Sequence, residues 1–177
     1  MRYRLFPHPS APAPAFAIEA GMRRAGGAVQ FSFRVTPAST LVLPQRDAPA
    51  RADGLWRTTC FEAFIRPGAG DAYVELNFAP SMQWAAYRFF AYRTGKANAD
   101  MRAPEIAVAQ SGRAMTLTAR LDADALLLTP SARIGLSAVL EEKSGAKSYW
   151  ALAHTDDKPD FHRAGAFIAR LPFESRA

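Results

Sequence analysis

Apolar and polar residues alternate with a period of two along most of this chain. Phe16, Ile18 and Ala20 alternate with Ala17, Glu19 and Gly21, and Val29, Phe31, Phe33 and Val35 alternate with Gln30, Ser32 and Arg34. That period sends successive side chains to opposite faces of a pleated backbone, so it predicts two strands, with Gly26-Gly27 as the turn between them. Residues 41–43 predict a short strand or edge, and 44–54, rich in Pro, Asp, Ala and Arg, a loop. Residues 59–65, 73–78 and 84–92 then read as three strands. The connections Pro67-Gly68-Ala69-Gly70-Asp71 and Pro80-Ser81-Met82 are short enough for antiparallel hairpins, which makes this stretch a meander.

Further strands are predicted over 105–109 and 115–121, joined by Ser111-Gly112-Arg113, and over 134–140, 148–153 and 167–171. Asp122 is placed to cap a short helical turn that Thr129-Pro130 ends. Nine to eleven short strands with one helical turn predict an all-β fold, an antiparallel β-sandwich of jelly-roll or immunoglobulin-like type. Residues 1–177 are expected to form one domain, since 177 residues bury enough surface for a core without disulfides or metals.

Charge changes the picture little. The formal charge is +6, but the basic residues are dispersed and Arg23-Arg24 is the one adjacent pair, so neither a nucleic-acid partner nor a membrane surface is expected. Prolines at Pro7, Pro9, Pro12 and Pro14 interrupt the basic N-terminus before a signal peptide could form, and no stretch approaches the roughly 20 apolar residues of a membrane span. With Cys60 as its single cysteine, the chain is expected to be soluble and cytoplasmic.

The chemistry concentrates in the middle third. Along 73–78, Val74, Leu76 and Phe78 point one way while Tyr73, Glu75 and Asn77 point the other, so a carboxylate and an amide share a sheet face. If Glu62, Glu75, Asn77 and Arg88 line adjacent strands on that face, they form a fixed array of hydrogen-bond donors and acceptors, as sugar hydroxyls require. Trp56, Trp84 and Trp150 are the indoles available as a flat apolar platform for a pyranose ring. Against this stands the plainer expectation that large aromatics are core and that Glu62 and Arg88 form a structural cross-strand pair.

The segments 55–64, 73–80, 84–87 and 149–152 (Leu55-Trp56 through Cys60-Phe61-Glu62, Tyr73-Val74-Glu75-Leu76-Asn77, Trp84-Ala85-Ala86-Tyr87 and Tyr149-Trp150-Ala151-Leu152) resemble the DOMON-like proteins related to carbohydrate-binding module family 9. The likeness runs from Trp56 to Leu171. It implies a β-sandwich binding domain, in a group whose members hold sugars or haem.

Other chemistries find less in the sequence. Asp156, Asp157 and Asp160, with Glu141 or Glu142, supply oxygens for calcium but lack the glycine-containing spacing of an EF-hand, and acidic loops are usually solvated. A haem would need a pair such as Met82 or Met101 with His154 or His162, and no local spacing joins them. Cys60 lies in an apolar strand, where a thiol is packing rather than a nucleophile. There is no Gly-x-Ser-x-Gly elbow, phosphate loop or zinc spacing, and the arginines among the aromatics of 87–93 are a faint nucleotide-stacking signal. Glu62 and Glu75 would be the carboxylate pair if the chain hydrolysed glycosides. The leading expectation is non-catalytic binding of a small polyhydroxylated ligand, a carbohydrate, through Trp56, Glu62, Glu75, Asn77, Trp84, Arg88 and Trp150, with no cofactor and no metal. A haem-binding redox domain and a carbohydrate-active enzyme are the alternatives.

Overall fold

The computed structural model describes residues 1–10, 15–126 and 128–171; Pro12, Pro14 and Leu127 lie outside the described residues. Its strands are β1 (Arg2–Pro7), β2 (Ala17–Ala25), β3 (Ala28–Thr36), β4 (Cys60–Arg66), β5 (Tyr73–Phe78), β6 (Trp84–Phe89), β7 (Ala97–Asn98), β8 (Glu105–Ser111), β9 (Ala114–Asp122), β10 (Arg133–Glu141) and β11 (Lys147–Ala151). They hydrogen-bond in one sheet in the order β7-β6-β5-β4-β10-β11-β1-β2-β3-β9-β8, with antiparallel strand pairing throughout.

The sheet is curled, and its two halves face each other. Phe33 on β3 stacks on Phe61 of β4 with ring centroids 5.1 Å apart, and Phe31 on β3 lies 6.1 Å from Phe78 of β5. These pairs join strands far apart in the hydrogen-bonded order, which only curvature brings together. The inward positions are hydrocarbon: Ile18, Val29, Phe31, Phe33, Phe61, Ile65, Leu76, Phe78, Met115, Leu117, Ile134, Leu136 and Leu140 are buried in one cluster. Period-two patterning produces this inner layer directly, because every second residue of each strand contributes to it.

β1 forms over Arg2–Pro7, a stretch for which the sequence pattern predicts no strand. It is the hinge of the sheet, pairing with β11 at Phe6 and Pro7 and with β2 from Arg2 to Leu5, so it serves both halves at once. Conversely, 167–171 is not a strand. Ala169 makes a single bridge to Ile134, with Ala169 N–H donating to the Ile134 carbonyl at 3.0 Å and Ile134 N–H returning 2.9 Å, on the stretch of β10 that β11 has already left. Leu41 likewise makes one bridge, to Glu142. The strand expected over 84–92 stops at Phe89, where Phe90 N–H turns to the Thr94 carbonyl at 3.0 Å and the chain reverses toward β7.

Asp122 does cap a helical turn, accepting from the backbone N–H of Asp124 at 3.0 Å; two further 3-10 turns lie at Leu55–Arg57 and Ala164–Ala166. Among the described residues no helix is long and apolar enough to cross a membrane.

Candidate cleft on the outer face of the sheet

The outer face of β4, β5, β6 and β10 is covered, not bare. A second apolar cluster, containing Leu55, Cys60, Phe64, Tyr73, Tyr87, Phe89 and Phe167, packs there beneath the loops at 44–59 and 152–171. Gly135 makes this cover possible, since a Cβ on it would sit 2.7 Å from the Phe167 ring. Phe167 therefore lies over β10 and stacks on Phe64 at 5.7 Å.

Between the two loops opens a cleft of about 610 Å³, lined by Ser10, Trp56, Glu62, Glu75, Phe89, Arg93, Lys96, Val139, Tyr149, Pro159, Phe161 and His162. Its floor follows from strand register. Ser137, Glu62 and Asn77 stand in one row across β10, β4 and β5, and Gly135, Phe64, Glu75 and Tyr87 form the next row. Glu62 and Glu75 are thus diagonal neighbours on adjacent strands, within mutual reach of long side chains.

Both carboxyl groups are buried, and each has one hydrogen-bond donor. Ser137 Oγ–H donates to Glu62 Oε2 at 3.2 Å, and Asn77 Nδ2–H donates to Glu75 Oε1 at 2.7 Å. Burial, then the negative charge of Glu75, pushes the Glu62 carboxyl up to about 8, against the opposing hydrogen bond from Ser137. Burial also raises Glu75, partly offset by Asn77, Lys96 and Arg93. The charge of Glu75 is thus one of the causes that hold the Glu62 proton, so the two carboxyl groups do not ionise independently. Cys60 lies on the same face of β4, two residues from Glu62, with its Sγ 3.7 Å from Asn77 Oδ1, and burial raises its thiol far out of the reactive range.

His162 closes one side. Arg93 N–H donates to the Tyr73 hydroxyl oxygen at 3.2 Å, so the Tyr73 O–H is free to donate to His162 Nδ1, 2.7 Å away. This leaves the ring proton on Nε2, which points at Glu75 Oε2 from 3.8 Å, beyond hydrogen-bond range. Burial and the neighbouring Arg93 and Lys96 push His162 down to about 4, so it is neutral at physiological pH.

Asp160 ties the wall together. It accepts from Arg93 at 3.0 Å, from the backbone N–H of His162 at 2.9 Å and from the Tyr92 hydroxyl, while Arg163 lies 3.7 Å away. Arg93, which contacts Tyr73 and Asp160, has a left-handed backbone with φ 51°; Gly95 completes the turn at φ 69°, where a Cβ would strike the Phe90 ring. Lys96 lies over the Tyr87 ring at 3.7 Å.

Of the residues expected from sequence, the structure brings Trp56, Glu62 and Glu75 together in the cleft, with Asn77 buried behind Glu75. Trp56 stands on the 3-10 turn at the mouth and is 53% exposed. Trp84, Arg88 and Trp150 are not there. Trp84 pairs with Phe78, Arg88 with Val74 and Trp150 with Ala138, which gives all three the parity of the inner layer. Trp84 and Trp150 are core residues, with Arg51 stacked 4.3 Å over the Trp84 ring and the Trp150 Nε1–H donating to Ser148 at 2.9 Å. Arg88 is exposed at the end of β6, and no ion pair joins it to Glu62 among the described residues.

Tyr149, Phe161, His162, Arg93 and Lys96 complete the cleft without having been singled out for it. The acidic loop is likewise engaged by arginine: Asp156 holds Arg163 at 2.6 Å, and Asp160 holds Arg93. Among the described residues no group of three or more His, Cys, Asp or Glu side chains is arranged to hold a metal ion. His154 bonds the Phe6 carbonyl through Nε2 at 2.8 Å, and Met82 lies beside Arg46.

No protein-family model and no curated protein matches the chain. Solved structures do share its fold. A protein of Bacteroides uniformis ATCC 8492 to which carbohydrate binding is ascribed superposes with a TM-score of 0.70 at 13% identity, over 95% of this chain and 84% of that one. A family 9 carbohydrate-binding module of Caldicellulosiruptor kristjanssonii gives a TM-score of 0.56 at 9% identity in complex with glucose, over 94% and 81% of the two chains. In complex with cellotriose such a module gives 0.53 at 10% identity, over 94% and 79%. At these identities what is shared is the fold, that of family 9 carbohydrate-binding modules.

Proposed function

We propose that this chain is a non-catalytic carbohydrate-binding domain of the sandwich type, DOMON-like in its relations, and that its sugar lies in the outer-face cleft. The observation that carries the reading is the pairing of an exposed indole at the mouth with buried, hydrogen-bonded carboxyl groups at the floor. A pyranose has both an apolar CH face and a ring of hydroxyls. Trp56, with Tyr149 and Phe161 in the same lining, offers the flat apolar surface, and Glu62, Glu75 and Arg93 offer polar partners. The shared fold with sugar-binding modules supports the same reading.

A glycan array followed by calorimetry tests it. Trp56→Ala and Glu75→Gln are each expected to weaken binding at least tenfold, the order of one lost hydrogen bond or stacking contact in a desolvated site. Unchanged affinity in both folded variants would move the site elsewhere.

The carboxyl pair favours one second reading. A Glu62 that holds its proton, beside Glu75 on the next strand, offers the acid and base of a glycosidase. Turnover of chromogenic glycosides that disappears in Glu62→Gln would establish it, and absence of turnover in a protein that binds glycans would leave the binding domain.

A further inference from the structure

Resting on that reading, we infer that Glu62 and Glu75 act as a fixed donor–acceptor couple that selects an uncharged vicinal diol, with Glu62 entering the cleft as the neutral acid that donates.

The geometry assigns the two roles. Ser137 donates to Oε2 of Glu62, so a carboxyl proton belongs on Oε1, which has no hydrogen-bond partner among the described residues. Asn77 occupies Oε1 of Glu75, and Oε2 lies 3.8 Å from His162 Nε2, too far to bond. The floor therefore presents one open O–H donor and one open carboxylate acceptor from adjacent strands. Two neighbouring sugar hydroxyls match this arrangement, one accepting and the other donating. An ammonium group has donors alone and would leave the Glu62 proton unanswered, while a ligand carboxylate has acceptors alone and would face Glu75.

The surrounding groups hold these states. Cys60, two residues from Glu62 on the same face, is buried and neutral, and His162 is neutral beside Glu75. Arg93 is engaged by Asp160 and Lys96 lies on Tyr87, so neither cation bonds either carboxyl group. Tyr73 is held by Arg93 and His162. Arg93 opposes a second negative charge only from a distance and makes no ion pair with Glu62, so burial, then the charge of Glu75, outweighs it and keeps the Glu62 proton near neutral pH.

Loss of the donor has a defined direction. Glu62 donates below its own midpoint and stops donating as pH rises through it. Affinity for a neutral sugar should therefore fall about tenfold between pH 7 and pH 9. Cellotriose is the probe, titrated calorimetrically at pH 6, 7, 8 and 9. In Glu62→Gln, where the amide donates at every pH, the slope should vanish. Affinity of the parent chain that stays flat from pH 6 to 9 would overturn the donor role while leaving sugar binding intact.

Carbon-detected NMR of carboxyl-labelled protein gives a readout that needs no ligand. One glutamate resonance should titrate near pH 8, be absent in Glu62→Gln and move to lower pH in Glu75→Gln as the like charge is removed. If every glutamate titrates below pH 6, the inference fails whether or not any sugar binds.

Discussion

The inner and outer faces of β4 and β5 are buried to similar depth, yet they are built on opposite rules. The inner face sets Phe61 and Phe78 against Phe33 and Phe31 and contains hydrocarbon alone, so its stability follows from area removed from water. The outer face, a residue away along each strand, buries Glu62, Glu75 and Asn77 under a cover of loops. Burying carboxyl groups costs stability unless they are paired, and these two have one hydrogen bond each and, among the described residues, no ion pair with a lysine or arginine. One side of the strands makes the fold, and the other accepts a penalty that a ligand is suited to relieve.

Removing a ring from the inner face should have the largest effect. Phe61→Ala deletes a fully buried side chain that stacks on Phe33 and is expected to cost about 3–5 kcal/mol in urea denaturation, the usual range for buried aromatics. A loss under 1 kcal/mol would mean the two halves of the sheet do not pack as described.

The outer face should answer to pH. The folded state holds the Glu62 proton up to about 8 whereas an unfolded chain releases it near 4.5, so this group's contribution is fully present below 4.5 and is lost as pH rises toward 8. His162 acts in the other direction, because its proton is held only below about 4 in the fold. Its contribution is present above 6.5 and is lost as pH falls toward 4. Stability should therefore decline on both sides of the mildly acidic range, and Glu62→Gln should recover up to roughly 4 kcal/mol on the alkaline side. Chemical denaturation of parent and variant from pH 4 to 9 checks both slopes.

A smaller effect separates the two kinds of tryptophan. Trp84→Phe should destabilise by about 1–2 kcal/mol through lost packing and the lost Arg51 stacking, with sugar affinity unchanged. Trp56→Ala should do the reverse, leaving the thermal midpoint within a degree or two while weakening the sugar. At the low end, Arg120→Ala breaks an exposed 3.6 Å pair with Glu105 and should change stability by less than about 0.5 kcal/mol.

What could be read from the sequence follows the same division. Strands with one apolar and one polar face, such as β3 and β9, declare their orientation in the alternation itself. β5 does so too: Val74, Leu76 and Phe78 against Tyr73, Glu75 and Asn77 is the split the structure shows. β6 does not, because both of its faces are covered. Trp84 and Ala86 are no less apolar than Ala85, Tyr87 and Phe89, so its parity relative to Glu75 is fixed by the hairpin register, Phe78 opposite Trp84, and not by hydrophobicity. Counting opposed residues across the Ala79–Gln83 connection would have placed Trp84 and Arg88 on the inner side. Arg93, Lys96, Phe161 and His162 come from turns and a long loop, where no period reports direction. The polar density of 154–162 marked that loop, but not that Asp160 would draw Arg93 and His162 to the wall of a cleft.

The central claim is that sugar is bound by the outer-face cleft and not by the core tryptophans or another surface. The most direct test follows the three indole N–H resonances in NMR while cellotriose is added. The account predicts that the Trp56 resonance moves and saturates while those of Trp84 and Trp150 stay in place. A saturable shift of Trp84 or Trp150 with Trp56 unmoved, or sugar binding with no indole responding, would contradict it.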